Sequence, residues 1–211
     1  MKRILLSLLL VCCTLALSAQ EAIRVSYKGA KPTISDFVSA FITTNNEDDE
    51  EGEYNESLNA FSSAWQRHLK GLPMESDEEF SETLTADERN GYVCYECRQD
   101  GGWLLRWEAC YWNESDGRHK LFAYNVSCFK DGHYSPGQYD GTLFYRYDNA
   151  TKTMTWCEGD LGFERRFSND DGDWISYALP RTGKDITVTR WDDKGRATQS
   201  TLKWNGRGFT K

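Results

Sequence analysis

Cys94-Tyr95-Glu96-Cys97 has the spacing of a thioredoxin-type dithiol and is the most chemically suggestive motif in the chain. That chemistry uses a helix N-terminus behind the first cysteine to stabilise its thiolate. The surrounding run, Tyr92 to Arg98, instead alternates apolar and polar side chains with a period of two, the pattern of a strand. Residues three apart in a strand point to opposite faces, which argues against both a redox pair and a shared zinc ion. The same parity turns Cys97 and Cys128 towards one face and Cys94, Cys110 and Cys157 towards the other. A disulfide between Cys94 and Cys110 is the first choice, because both occupy one face of adjacent strands. They lie on a diagonal, however, so closing the bond requires a shift or a bulge. Five cysteines remain once a leader containing Cys12 and Cys13 is removed, and an odd number leaves one thiol free unless another chain supplies its partner.

Other chemistries find less support. His68, His119 and His133 are scattered, and the chain has no G-x-S-x-G elbow, no phosphate loop and no H-E-x-x-H pair. A hydrolase built on a cysteine and a histidine is therefore the third functional reading, and the expectation is no enzyme, no cofactor and no metal site. Residues 45–56 carry Glu47, Asp48, Asp49, Glu50, Glu51, Glu53 and Glu56, a density of like charge that favours a solvated loop. A calcium loop fails there, since the frame that places Gly52 sixth puts Leu58 where the bidentate glutamate belongs. The short Asn169-Asp170-Asp171-Gly172-Asp173 run reads as a polar turn. More suggestive are Trp112, Trp174 and Trp191, which fall outside the apolar stripes and are placed to stack on a sugar or a peptide.

Strands must position these groups. Val93, Tyr95 and Cys97 share a face of one run, and Trp103, Leu105, Trp107, Ala109 and Tyr111 share a face of the next. Both sets meet on one side only if paired residue numbers add to an even number. A three-residue Asp100-Gly101-Gly102 loop satisfies this and sets Tyr95 opposite Trp107. The alternation continues through Phe122 to Cys128, Leu143 to Tyr147, and Met154 with Trp156, giving one antiparallel meander with one apolar face. The same rule matches Ile186 and Val188 to Leu202 and Ser200 around Asp193-Lys194-Gly195. Upstream, Ile34, Phe37, Val38, Phe41 and Ile42 form one helical stripe capped by Thr33 or Ser35. Leu58, Phe61, Trp65 and Leu69 form a second, from about Glu56 to Gly71. The expected fold is α+β, two N-terminal helices packed on a long antiparallel meander, with a closed or partly closed barrel as the alternative.

Lys2 and Arg3 followed by an apolar run from Ile4 to Leu17, with Ser18-Ala19 before Gln20, predict a signal peptide over 1–19. A lipid anchor on Cys12 or Cys13 is disfavoured by Val11, and no later segment is apolar enough to span a membrane. The remaining 192 residues suit a single domain over 20–211. They carry a net charge of −10, because the leader takes two positive charges and no acids from a chain of net −8. That balance argues against nucleic acid or an anionic membrane as the partner.

The leader's Leu17-Ser18-Ala19-Gln20 end, the Tyr111-Trp112-Asn113 to Asp116-Gly117 turn and the closing Leu202-Lys203-Trp204-Asn205-Gly206 to Phe209 resemble small exported bacterial proteins of the Bacteroidota type, which have no assigned activity. The resemblance implies an envelope location and carries over no catalytic residue. The expected function is that of an exported, periplasmic or secreted, non-catalytic binding module for a glycan, a peptide or an envelope protein. The alternative is an inhibitor or sensor of an envelope enzyme, acting through the acidic loop at 45–56.

Overall fold

The computed structural model describes residues 22–47, 56–137, 140–157, 161–163, 168 and 172–211. The expected leader, most of the acidic loop (48–55) and Asn169 to Asp171 lie outside them.

Helix α1 spans Ile34–Glu47 and α2 spans Glu56–Leu69. Thr33 caps α1 through a reciprocal pair of bonds. The Asp36 carboxylate accepts from the Thr33 N–H at 2.7 Å, and the Asp36 N–H donates to Thr33 Oγ1 at 3.4 Å. All five residues of the α1 stripe are buried, as are Leu58, Phe61 and Trp65 of α2. Leu69 departs from the expected stripe and is 53 % exposed. The reason is that the chain leaves the helix there: Gly71, at φ +67°, donates to His68 O while Leu72 donates to Arg67 O, a Schellman stop that turns the last residues outward.

The strands are β1 (Ile23–Arg24), β2 (Phe80–Asp87), β3 (Tyr92–Gln99), β4 (Trp103–Asn113), β5 (His119–Lys130), β6 (His133–Tyr134), β7 (Gly141–Asp148), β8 (Thr153–Trp156), β9 (Trp174–Ala178), β10 (Ile186–Trp191), β11 (Ala197–Trp204) and β12 (Phe209–Thr210). The main sheet is an antiparallel meander in the order β1-β8-β7-β5-β4-β3-β2, with β6 paired to β5. Tyr95 stands opposite Trp107, and residues 100–102 form the connecting turn with Gly101 and Gly102 at positive φ. No pairing joins the β1 and β2 edges among the described residues.

The expectation of one sheet with one apolar face is corrected by the C-terminal third. Strands β9 to β12 form a second antiparallel sheet in the order β12-β11-β10-β9. The helices cover one face of the main sheet, closing over Val93, Tyr95, Trp107, Phe122, Val126 and Tyr147. The second sheet covers the other, where Tyr92, Cys110, Trp112, Leu121, Ala123 and Phe144 meet Tyr177, Leu179, Ile186, Leu202 and Phe209. Strands buried on both faces read as nearly continuous apolar runs, which is what Leu121-Phe122-Ala123-Tyr124 is.

Strand β9 lies at the end of its sheet; apart from an isolated bridge between Trp174 and Ser168, its outer edge and the following Leu179 turn towards β4 and β5. Asn125 Nδ2 donates to Tyr177 O at 2.9 Å, and the Leu179 N–H donates to Glu108 Oε2 at 3.3 Å. Two side chains of the main sheet thus satisfy backbone groups that a missing neighbour strand would otherwise take. Thr142 and Ser127 complete the set by bonding Asn125, and Tyr92 donates to Glu108 at 2.8 Å.

Candidate functional site

The three tryptophans singled out by parity separate. Trp112 is 4 % exposed, stacked on Trp204 with centroids 5.7 Å apart and edge-on to Phe209, and its Nε1–H donates to Lys184 O. It faces away from the helices as expected, but the second sheet closes over it, so Trp112 belongs to the core and is not available to a ligand. Trp174 and Trp191 come together as direct cross-strand partners at the end of β9 and β10. Trp174 is 46 % exposed and Trp191 half-buried.

Trp191 is fixed from two sides. Its Nε1–H donates to the buried Ser176 Oγ at 2.8 Å, and its ring meets Phe129 and His133, each with centroids 6.3 Å away. The contact with His133 depends on Gly195 in the β10–β11 turn, where φ is +72° and an added Cβ would meet the imidazole at 2.8 Å. Phe129 continues the surface into a cleft of about 280 Å³ lined by Arg98, Gly102, Leu104, Arg106, Phe129 and Gly132. Leu104 and Phe129 are adjacent in the sheet and form its apolar floor. Arg106 lies 5.5 Å over the Phe129 ring. Glu96 accepts from Arg106 at 2.6 Å and from Arg98 at 3.0 Å. One carboxylate thus serves two guanidiniums, and Arg106 also feels the buried Glu108 behind it. The result is a part-exposed aromatic surface beside an arginine-lined cleft, where the main sheet's second face runs out from under its cover. Phe129, Arg98 and Arg106 were not singled out from the sequence. Phe129 shares parity with Leu121 and Ala123, which marks it as off the helix-facing side.

A second cavity, of about 390 Å³, is lined by Glu114, Ser115, Asp116, His119, Arg146 and Arg207. One donor atom each from Glu114, Asp116 and His119 lies within 4.8 Å of the others, close enough to consider a metal. Their bonds are already spent. Arg146 donates to the buried Glu114 at 2.7 Å, and Asp116 accepts the backbone N–H groups of Arg118 and His119 and pairs with His119 Nδ1. Those bonds hold the Asp116 carboxyl well below the usual carboxylate range. With Arg146 and Arg207 also on the lining, the set reads as an ion-paired hairpin turn.

Among the described residues, Cys94, Cys97, Cys110 and Cys128 are free thiols. Cys94 stands opposite Glu108 and Cys110 opposite Tyr92, the expected diagonal, and no bulge brings the proposed Cys94–Cys110 bond into reach. Burial pushes the Cys94 thiol up to about 11 and the Cys128 thiol up to about 12, and raises Cys97 and Cys110 as well. Each of these four therefore stays protonated at neutral pH, the opposite of what a nucleophile needs. The histidines have other companions: His68 stacks on Trp65, His119 pairs with Asp116, and His133 contacts Trp191 and Gly195.

No protein-family model, curated protein or solved structure matches this chain. No helix among the described residues is long and apolar enough to cross a membrane.

Proposed function

We propose that this protein is an exported, non-catalytic binding module of the bacterial envelope whose contact surface is the Trp174, Trp191 and Phe129 face with its Arg98 and Arg106 cleft. The observation that carries the reading is the cross-strand pairing of Trp174 with Trp191, which puts one exposed and one half-buried indole on the same face of neighbouring strands, beside Phe129 and the arginine-lined cleft. Flat rings stack on sugar faces or peptide planes, and the guanidiniums favour a ligand that also carries a carboxylate. The raised thiols support a role without nucleophilic chemistry.

Soluble peptidoglycan fragments are a suitable probe, because one molecule presents sugar rings, peptide and carboxylates. A β-glucan oligosaccharide provides the uncharged comparison. Titration followed by tryptophan fluorescence is expected to give saturable quenching, weakened about tenfold or more by Trp174→Ala and by Trp191→Ala. Absence of saturable quenching with both probes, or quenching that survives both substitutions, overturns the reading.

A further inference from the structure

On the helix side of the main sheet, Lys120 is 7 % exposed, on a molecule whose other lysines lie mostly at the surface. It pairs across β4 with Asn113 and across β7 with Tyr147. Its ammonium donates to Asn113 Oδ1 and sits 4.9 Å over the Tyr111 ring. Neither partner carries a negative charge, and a buried ammonium is costly unless an anion answers it. Lys31 aggravates the position: burial first and the Lys31 charge second push the Lys120 pKa down.

Lys31 also lines an open cavity of about 530 Å³ together with Ser26, Tyr27, Lys28, Gly29, Thr33 and Asp36. Lys152 lies 5.0 Å over the Tyr27 ring, and the Tyr27 hydroxyl is 3.5 Å from that of Tyr147, the cross-strand neighbour of Lys120. Lys28 and Lys31 thus line the cavity, Lys152 lies against its Tyr27, and Lys120 is near enough to feel the Lys31 charge; none of the four forms an ion pair with a described residue. Three acids lie near: Asp148 pairs with Arg118, Glu88 accepts from Ser35, and Asp36, on the cavity lining, caps Thr33 and keeps its charge. Four lysines around a lining with one carboxylate, in a protein of net charge −8, are not accounted for by solubility. Lysines act as point charges towards phosphate-type anions, and serine and threonine hydroxyls beside them add donors.

We propose that the cavity lined by Tyr27, Lys28 and Lys31 binds a multiply charged anion of the phosphate or sulfate type, whose charge also answers the buried Lys120 ammonium. The site is on the opposite face of the main sheet from the aromatic surface and does not depend on it.

The test uses the mature chain, with inorganic phosphate and inorganic sulfate titrated by calorimetry at constant ionic strength and chloride as the control. Saturable binding of either dianion is expected, weakened at least about tenfold by Lys31→Ala and by Lys28→Ala, both of which alter exposed side chains. Lys120→Met is read by thermal unfolding. Phosphate is expected to raise the wild-type Tm and to raise that of the variant less. Glycerol phosphate and phosphatidylglycerol vesicles separate a free anion from a lipid headgroup, and binding to either is consistent with the site. Chloride matching phosphate at equal ionic strength, or phosphate binding unchanged in both the Lys28 and Lys31 variants, overturns the proposal.

Discussion

Trp112 lies flat on Trp204 and edge-on to Phe209 in a site that excludes water, so truncation leaves a cavity that the surrounding rings cannot fill. Trp112→Ala is expected to cost about 3–5 kcal/mol in urea unfolding, the range for a large buried aromatic, whereas Trp174→Ala should stay within about 0.5 kcal/mol. Equal losses would mean that the second sheet does not cover Trp112. Cysteine chemistry divides the same way. Cys110 is 3 % exposed, and burial raises its thiol well above the ordinary range. Alkylation by iodoacetamide at about pH 8, mapped by mass spectrometry, should leave Cys110 intact in the folded protein and modify it readily in urea. Labelling of folded Cys110 at the unfolded rate would contradict its placement.

At the scale of the element, Glu108 is the side chain that lets β9 end a sheet inside the protein. It is 5 % exposed, and burial raises its pKa, opposed by the Tyr92 hydroxyl, the Arg106 charge, the Leu179 N–H and Asn125. A carboxyl whose folded pKa exceeds its unfolded value, about 4.3 for glutamate, holds more protons folded than unfolded. Its contribution to stability is therefore fully present below the unfolded pKa and declines as pH rises towards the folded one. Glu108→Gln removes this titration. The stability of the variant relative to wild type, from urea midpoints at pH 4, 6 and 8, should grow with pH. A difference that shrinks as pH rises would show that the donors around Glu108 outweigh its burial. Asp148 works in the opposite sense, held down to about 2 by the Arg118 bond, and differencing against the variant cancels that background.

For the whole molecule, parity made the hairpins legible but not the layering. Tyr95 opposite Trp107, and Ile186 opposite Leu202, followed from requiring apolar sets to share a face, and both pairings are observed. That rule also identified Trp112, Trp174 and Trp191 as lying off the helix-facing stripe. It could not say that strands β9 to β12 pack on that second face, because period-two alternation marks a strand's apolar side without naming the surface it meets. Hence Trp112 read as a recognition residue, and Phe129, at the margin of the covered area, was passed over. The layering also sets how the molecule opens. Among the described residues no strand of one sheet pairs with a strand of the other. They are joined chiefly by side chains, through the Tyr177, Leu179, Ile186, Leu202 and Phe209 cluster and the bonds of Asn125 and Glu108 to Tyr177 and Leu179, with one backbone bond between turns, from the Ser115 N–H to Gly206 O at 2.8 Å. The helices close independently over the opposite face. The second sheet can therefore detach while Trp107 and Val126 remain covered, an opening that costs less than global unfolding. Native-state hydrogen exchange should show the β10 and β11 amides opening at lower free energy than those of β4 and β5, the two merging only near the denaturation midpoint. Phe209 is fully buried and touches Trp112, Phe144, Phe163 and Trp204. Phe209→Ala should accordingly lower protection in β10 and β11 by about 3–5 kcal/mol, or by the whole of their local stability if that is smaller, while β4 and β5 lose less. Equal loss in both sheets would show that the three layers unfold as one cooperative unit and that the aromatic surface on β9 and β10 is held as firmly as the core.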